Sequence, residues 1–307
     1  MRWNLGLAGL AVSWGLIAVI AGAVDIGGAQ LAFLRLAFAA VTLAAVAVGG
    51  RRLSALRPGR HLRLLIALGV IQGAHWWLFF EAVKRGSVAL AVLTFYAAPL
   101  FLAVLAPIFL PESLSNVALG AVAVGGAGIA LVVLAGNGDG QGTFGWIALA
   151  CGLGSALTFA VLLLISKRLL QADVPPLTLA FWDCLVGALV MIAPALLVNG
   201  RLVPGDAQEW RAVLLLGVVF TGGSTLVYAA LLRHVTAQVA GVLSFLEPVS
   251  AVILAWVFLD QSLTTLGILG AVLVLLAGFA VVVLEPGSDS GERRVTEAAA
   301  GIGSAGT

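Results

Sequence analysis

Apolar runs of about 20 residues, separated by short polar stretches, recur along the whole chain. Each is long enough to cross a hydrocarbon core about 30 Å thick at about 1.5 Å of helical rise per residue. Ten such runs predict ten membrane-spanning helices, at 3–23, 28–49, 64–83, 87–109, 115–135, 144–166, 177–198, 212–232, 236–259 and 263–284. The stretches between them are too short to hold a soluble domain, so any function must sit within the bilayer. The first run also carries the Arg2, apolar stretch and Ala21-Gly22-Ala23 order of a secretory signal. Cleavage there would leave nine spans and remove one partner of the repeat described next, so it is read as a true span.

The pattern is stated twice. Residues 119–134 read LGAVAVGGAGIALVVL, residues 269–284 read LGAVLVLLAGFAVVVL, and eleven of the sixteen aligned positions are identical. Upstream, 91–114 aligns with 240–263 and sets Pro99 against Pro248 and Ser113-Leu114 against Ser262-Leu263. Apolar runs match one another cheaply, but a shared proline and a shared run end do not. Each copy holds five spans, an odd number, so the second enters the membrane in the opposite sense. A duplicated, inverted unit is a common architecture of secondary transporters.

Composition narrows the picture further. Hydrophobic residues make up 62% of the chain and charged residues 10%, far from the roughly 25% charge of soluble domains. Lys and Arg placement orients the spans. With the N-terminus inside, eleven basic residues fall on the cytoplasmic side, five of them (Arg51, Arg52, Arg57, Arg60, Arg63) between spans two and three. Four, Lys84, Arg85, Arg201 and Arg211, fall on the other side, and Arg35 is intramembrane. Both termini are thus expected in the cytoplasm, and the net charge of +2 reflects this bias and gives no sign of nucleic-acid binding. Cys151 and Cys184 fall in different spans at depths about 9 Å apart by helical rise, too far for a disulfide. The glycine-rich linker 136–142 lacks the strand that precedes a phosphate loop and reads as a hinge between halves. The segment 286–307, rich in Gly, Ser, Ala and charge, is expected to be a disordered cytoplasmic tail.

Ionisable groups in hydrocarbon are costly and are functional candidates by default. Glu247 lies about 16 Å along the ninth span, near the bilayer midplane, and is followed by Pro248. That proline leaves the carbonyl of Ser244 without its helical donor and bends the span. A carboxylate beside a kink at that depth is a candidate proton carrier or a holder of a substrate ammonium; a protonated Glu bonded to a neighbouring helix is the structural alternative. His75 lies at the same depth in the third span, with Gln72 and Phe79 on its face. It can shuttle a proton, or simply pack through a hydrogen bond. Arg35 is expected to form a structural ion pair with Glu81, gating by its breakage being the alternative, and Asp183, its counterpart in the second half, to lie near Lys167 or Arg168 in a similar role. Tyr96 and Tyr228 offer hydroxyls, and Trp14, Trp76 and Phe79 offer flat surfaces to a substrate, with packing or a lipid-facing role as the alternative for each aromatic. No metal-ligand spacing, cofactor motif or catalytic signature is present.

The motifs AFLRLAF (32–38), FFEAVKRGSVALA (79–91), FYAAPLF (95–101), LPESL (110–114), RHVTAQVAGVLSFLEP (233–248) and FLDQSL (258–263) resemble those of EamA-type transporters of the drug/metabolite transporter superfamily. Asp260-Gln261 departs from the Gly-Glu pair more usual there. The resemblance covers 1–285. It implies an all-α integral membrane fold of ten helices, with two inverted five-helix repeats at 1–137 and 143–285 around a central cavity. It further implies an inner-membrane exporter of small organic solutes, such as amino acids, related metabolites or drugs. Helices three and four would rock against eight and nine with Pro99 and Pro248 as hinges. The partners expected are a small-molecule substrate, protons and the lipid bilayer. An uncoupled facilitator of the same fold and an integral-membrane enzyme acting on lipid are the alternative classes.

Overall fold

The structure is a computed structural model and describes residues 2–109, 116–135, 145–232 and 243–284. The 110–114 motif, the linker 136–142, the start of the ninth span and the tail from 286 lie outside the described residues.

Every regular element among the described residues is helical. They are α1 (Arg2–Ala23), α2 (Gly28–Gly49), α3 (Leu62–Arg85), α4 (Val88–Phe95), α5 (Ala98–Phe109), α6 (Asn116–Ala135), α7 (Trp146–Gln171) and α8 (Pro176–Asn199). Next, α9 (Ala207–Leu214), a π-helical stretch (Leu215–Gly223) and α10 (Ser224–Leu232) form one continuous rod, followed by α11 (Leu246–Leu259) and α12 (Thr265–Leu284). Among the described residues, six helices are long and apolar enough to cross a membrane, and four shorter apolar helices accompany them. Large apolar side chains such as Leu134, Leu197, Trp256 and Phe258 face outward, as a surface bathed in lipid tails allows.

Local chemistry sets the ends. Ser87 caps α4, its hydroxyl accepting from Leu90 N at 3.1 Å, and Asp206 caps α9, accepting from Gln208 N and Glu209 N at 2.8 Å each. Pro176 opens α8, and Gly200 closes it at φ 71°, a conformation that favours glycine.

The fourth span, expected as one helix, is two. The chain breaks at Tyr96 and Ala97, so Pro99 sits in the first turn of α5, where a missing N–H costs nothing. The ninth span breaks likewise at Phe245, leaving Glu247 and Pro248 in the first turn of α11. The breaks fall at matching positions of the repeat, Tyr96 against Phe245, and the two rings pack together at 5.5 Å.

The eighth span also departs from a regular helix. Gly217 abuts Arg35 and Phe38 of α2, and Gly222 abuts Thr42, so the π stretch lies directly on α2. Thr221 Oγ1 donates to Leu216 O at 2.7 Å, back across five residues as the wider turn requires. Elsewhere, α6 and α12 cross antiparallel: Gly125 faces Ala277, Gly128 faces Val274, Gly270 faces Val132 and Gly267 faces Ala135. Bare glycines allow this approach, in a medium that gives no hydrophobic drive. Cys151 and Cys184 are both free thiols.

Candidate functional site

The two breaks lie beside a buried cavity. Its wall includes Trp14, Ile17 and Ala18 of α1, His75, Trp76 and Phe79 of α3, Val92 and Phe95 of α4, and Glu247 and Ala251 of α11. The cavity measures about 10 Å³, room for about one water molecule, so an organic molecule can enter only if the wall opens. Five residues singled out in the sequence meet here: Trp14, His75, Trp76, Phe79 and Glu247.

Glu247 is held from three sides. Its place in the first turn of α11 puts the carboxyl at the positive end of the helix dipole. Tyr96 OH lies 3.1 Å from Glu247 Oε2. The same hydroxyl lies 2.7 Å from the Ser244 carbonyl, the group that Pro248 deprives of its helical donor. Tyr96 therefore caps the proline break of the other half. From the third side, Ser250 Oγ lies 2.8 Å from the Glu247 carbonyl and 3.0 Å from that of Val12, pinning α11 to α1. Gly15 of α1 permits that contact, since a Cβ there would crowd the Glu247 carbonyl at 3.1 Å.

His75 is fixed by α7. Its Nδ1 lies 3.0 Å from the Ser155 carbonyl and 3.2 Å from Ser155 Oγ. A carbonyl only accepts, so Nδ1 carries the proton and Nε2 of the neutral ring carries the lone pair. Nε2 is buried without a hydrogen-bond partner. Around the ring stand Trp76, Phe95 and Phe159 with centroids at 4.8, 5.5 and 5.3 Å.

Arg35 does not pair with Glu81. Glu81 instead accepts from Arg85 Nε at 2.6 Å and Trp77 Nε1 at 3.3 Å, partners on its own helix face. Arg35 turns inward: Nε donates to Thr221 Oγ1 of the π stretch at 2.6 Å, and the guanidinium lies 3.5 Å over the Trp76 ring. Nη1 is buried without a partner. Span depth allowed a pairing of Arg35 with Glu81, but the sides of the helices they occupy do not. Asp183 also departs from expectation: it is buried against α3, its carbonyl near Gly69, and Oδ1 has no hydrogen-bond partner. It is not held by an ion pair with Lys167 or Arg168.

The remaining candidates stand further out. Tyr228 packs on Trp14 at 5.5 Å without reaching the wall. Gln72, half-buried, is not part of the wall either. Ser244 contributes its carbonyl to Tyr96. Sequence reasoning missed Ser155 and Thr221, the hydroxyl residues that position His75 and Arg35. Each is a polar side chain beside span glycines (Gly154, Gly222), which is the one signal that marks them.

Comparison with known proteins agrees with this architecture. The EamA-like transporter family matches residues 1–134 and 146–283. An uncharacterized transporter of Archaeoglobus fulgidus is 26% identical over 217 residues, covering 71% of this chain and 75% of the relative. One of Pseudomonas aeruginosa is 30% identical over 210 residues, covering 66% of each. A solved crystal structure superimposes with a TM-score of 0.62 at 20% identity, covering 92% of this chain and 96% of that one, a likeness of fold. The chain is therefore a multi-pass membrane protein, and it belongs to the EamA-like transporter family.

Proposed function

We propose that the chain is a secondary transporter that exports small organic solutes, such as amino acids or related metabolites, across the inner membrane by alternating access, with proton exchange at Glu247. The observation that carries this reading is the cavity between the two broken spans, with a carboxyl and an imidazole among its aromatic walls. Inverted five-helix repeats at 1–137 and 143–285 supply the frame. In support, the antiparallel register of α6 and α12 sets Gly126 level with its own copy, Leu276, and the paired breaks meet through Tyr96 and Phe245. Both are arrangements that a two-fold relation in the membrane plane would generate.

The tyrosine hydroxyl supplies a link between proton and hinge. It has one proton and two neighbours, the Ser244 carbonyl and the Glu247 carboxyl. When Glu247 is protonated it donates to Tyr96, whose own proton satisfies Ser244. When Glu247 is ionised, two acceptors compete for that single proton, and the carbonyl at the break loses its share. Ionisation thus loosens the ninth span where it bends, and the aromatic wall parts toward one side.

The test uses purified protein in proteoliposomes and a panel of labelled amino acids and metabolites, read both as flux driven by a pH gradient and as solute counterflow. A transporter of this kind accumulates at least one solute under the gradient, and Glu247→Gln retains counterflow while losing the drive. Equal gradient-driven flux in the Gln variant would falsify the proton assignment. Counterflow without any response to pH would leave an uncoupled facilitator.

A further inference from the structure

The linker between α2 and α3 carries a second feature, unconnected to the central cavity. Residues 51–63 read RRLSALRPGRHLR, with five arginines in thirteen positions. All five are exposed, and none forms an ion pair among the described residues. The linker is held in place by two short 3₁₀ turns, Leu53–Leu56 and Gly59–His61. Trp182 of α8 anchors it, donating Nε1–H to Leu56 O at 2.9 Å. Gly59, at φ 54°, makes the bend that a side chain would strain.

This fold creates a pocket at the membrane end. It measures about 260 Å³ and lies between Arg57, Arg60 and His61 on one side and the α7–α8 turn on the other. At its wall stands Thr178, 2% exposed, whose hydroxyl has no hydrogen-bond partner. One carboxylate, Asp173, shares the wall. Leu53 and Leu62, exposed at 58% and 39%, flank the arginines and suit contact with the acyl boundary. Rules of orientation account for arginines on this side, but not for an anchored loop that turns two of them toward a roomy polar pocket.

We infer that this pocket binds the phosphate headgroup of an anionic membrane lipid from the leaflet beside it. Arg57 and Arg60 would supply the charge, and guanidinium forks match phosphate oxygens. Thr178 would donate its free hydroxyl to a phosphate oxygen, and the exposed leucines would lie along the chains. Clusters of four to eight basic residues beside a span attract anionic lipid at about 1 kcal/mol each, or about five-fold in affinity.

The measurement is thermal stabilisation of the purified protein in neutral detergent, titrated with phosphatidylglycerol, phosphatidylcholine or inorganic phosphate. Phosphatidylglycerol is expected to stabilise at lower concentration than phosphatidylcholine, and inorganic phosphate at matched concentration to have no effect. Arg57→Gln/Arg60→Gln should weaken the phosphatidylglycerol response about 25-fold, whereas Arg52→Gln/Arg63→Gln, with the same charge removed outside the pocket, should change it less than about three-fold. Thr178→Val, which keeps the side chain's shape, should cost about ten-fold and serves if the double variant does not fold. Equal responses to the two lipids, equal losses in the two double variants, or saturation by inorganic phosphate would each overturn the inference. Binding in detergent is independent of what the chain transports, so failure here leaves the proposed transport function standing.

Discussion

The fourth and ninth spans break at the same place in the repeat and carry different chemistry there. One reads Tyr96-Ala97-Ala98-Pro99, the other Phe245-Leu246-Glu247-Pro248. Both prolines sit in a first helical turn, so the frame is shared. The hydroxyl, however, is on one side and the carboxyl on the other, and they meet at 3.1 Å. Tyr96 caps the carbonyl that Pro248 frees; Phe245, its counterpart, has no hydroxyl with which to return the bond. Duplication supplies the break twice, and divergence between the copies supplies a polar contact across them.

The largest expected effect breaks the carboxyl side. Glu247→Gln should abolish gradient-driven flux in proteoliposomes while counterflow persists. Next comes Tyr96→Phe, which makes the two breaks alike. It leaves the half-buried Ser244 carbonyl without this donor, at a cost of about 1–3 kcal/mol, measurable as reduced thermal stability. In the double variant with Glu247→Gln the changes in thermal stability of the two single variants should not add, because both act on one contact.

Phe245→Tyr tests the reverse transfer of the hydroxyl. Phe245 Cζ lies so near Gly278 that a Cβ there would stand 2.9 Å away, so the added oxygen overpacks the site by about 1–3 kcal/mol and restores nothing in combination with Tyr96→Phe. A smaller loss, about 1 kcal/mol, is expected for Arg35→Lys, which keeps the charge but gives up the flat stack over Trp76. Smallest is Ser155→Ala, at about 0.5–1 kcal/mol. The Ser155 carbonyl still holds His75, so the ring should keep its tautomer in NMR spectra; a change of tautomer would show that the hydroxyl, not the carbonyl, sets it.

Much of this was legible in the residues themselves. Depth along a span follows from counting, and counting placed Glu247 and His75 at one level, where they do share a cavity. Trp14, Trp76 and Phe79 reached the same wall. What counting does not give is azimuth. Arg35 and Glu81 had compatible heights, yet Arg35 faces Thr221 and Trp76 while Glu81 faces Arg85, and only helix packing decides that. Asp183 failed for the same reason. Pro248 announced a bend in the ninth span, but the outright breaks at Tyr96 and Phe245 depend on which turn of the new helix tolerates the missing donor. Nothing in LLGVVFTGG distinguishes a π stretch from an ordinary apolar helix.

That stretch has a geometric consequence. Gly217 and Gly222 are five residues apart, and on an α-helix they would point about 140° away from each other. The wider π turn brings both onto α2, where their neighbours, Phe38 and Thr42, are four residues apart. The two helices therefore mesh like gears of unequal pitch, in phase for a single turn. Shifting the mesh by one residue would turn everything beyond it by about 100°, carrying Tyr228 off Trp14 at the edge of the cavity. Such a shift between α2 and the eighth span would thus also reach the first, through the Trp14–Tyr228 contact.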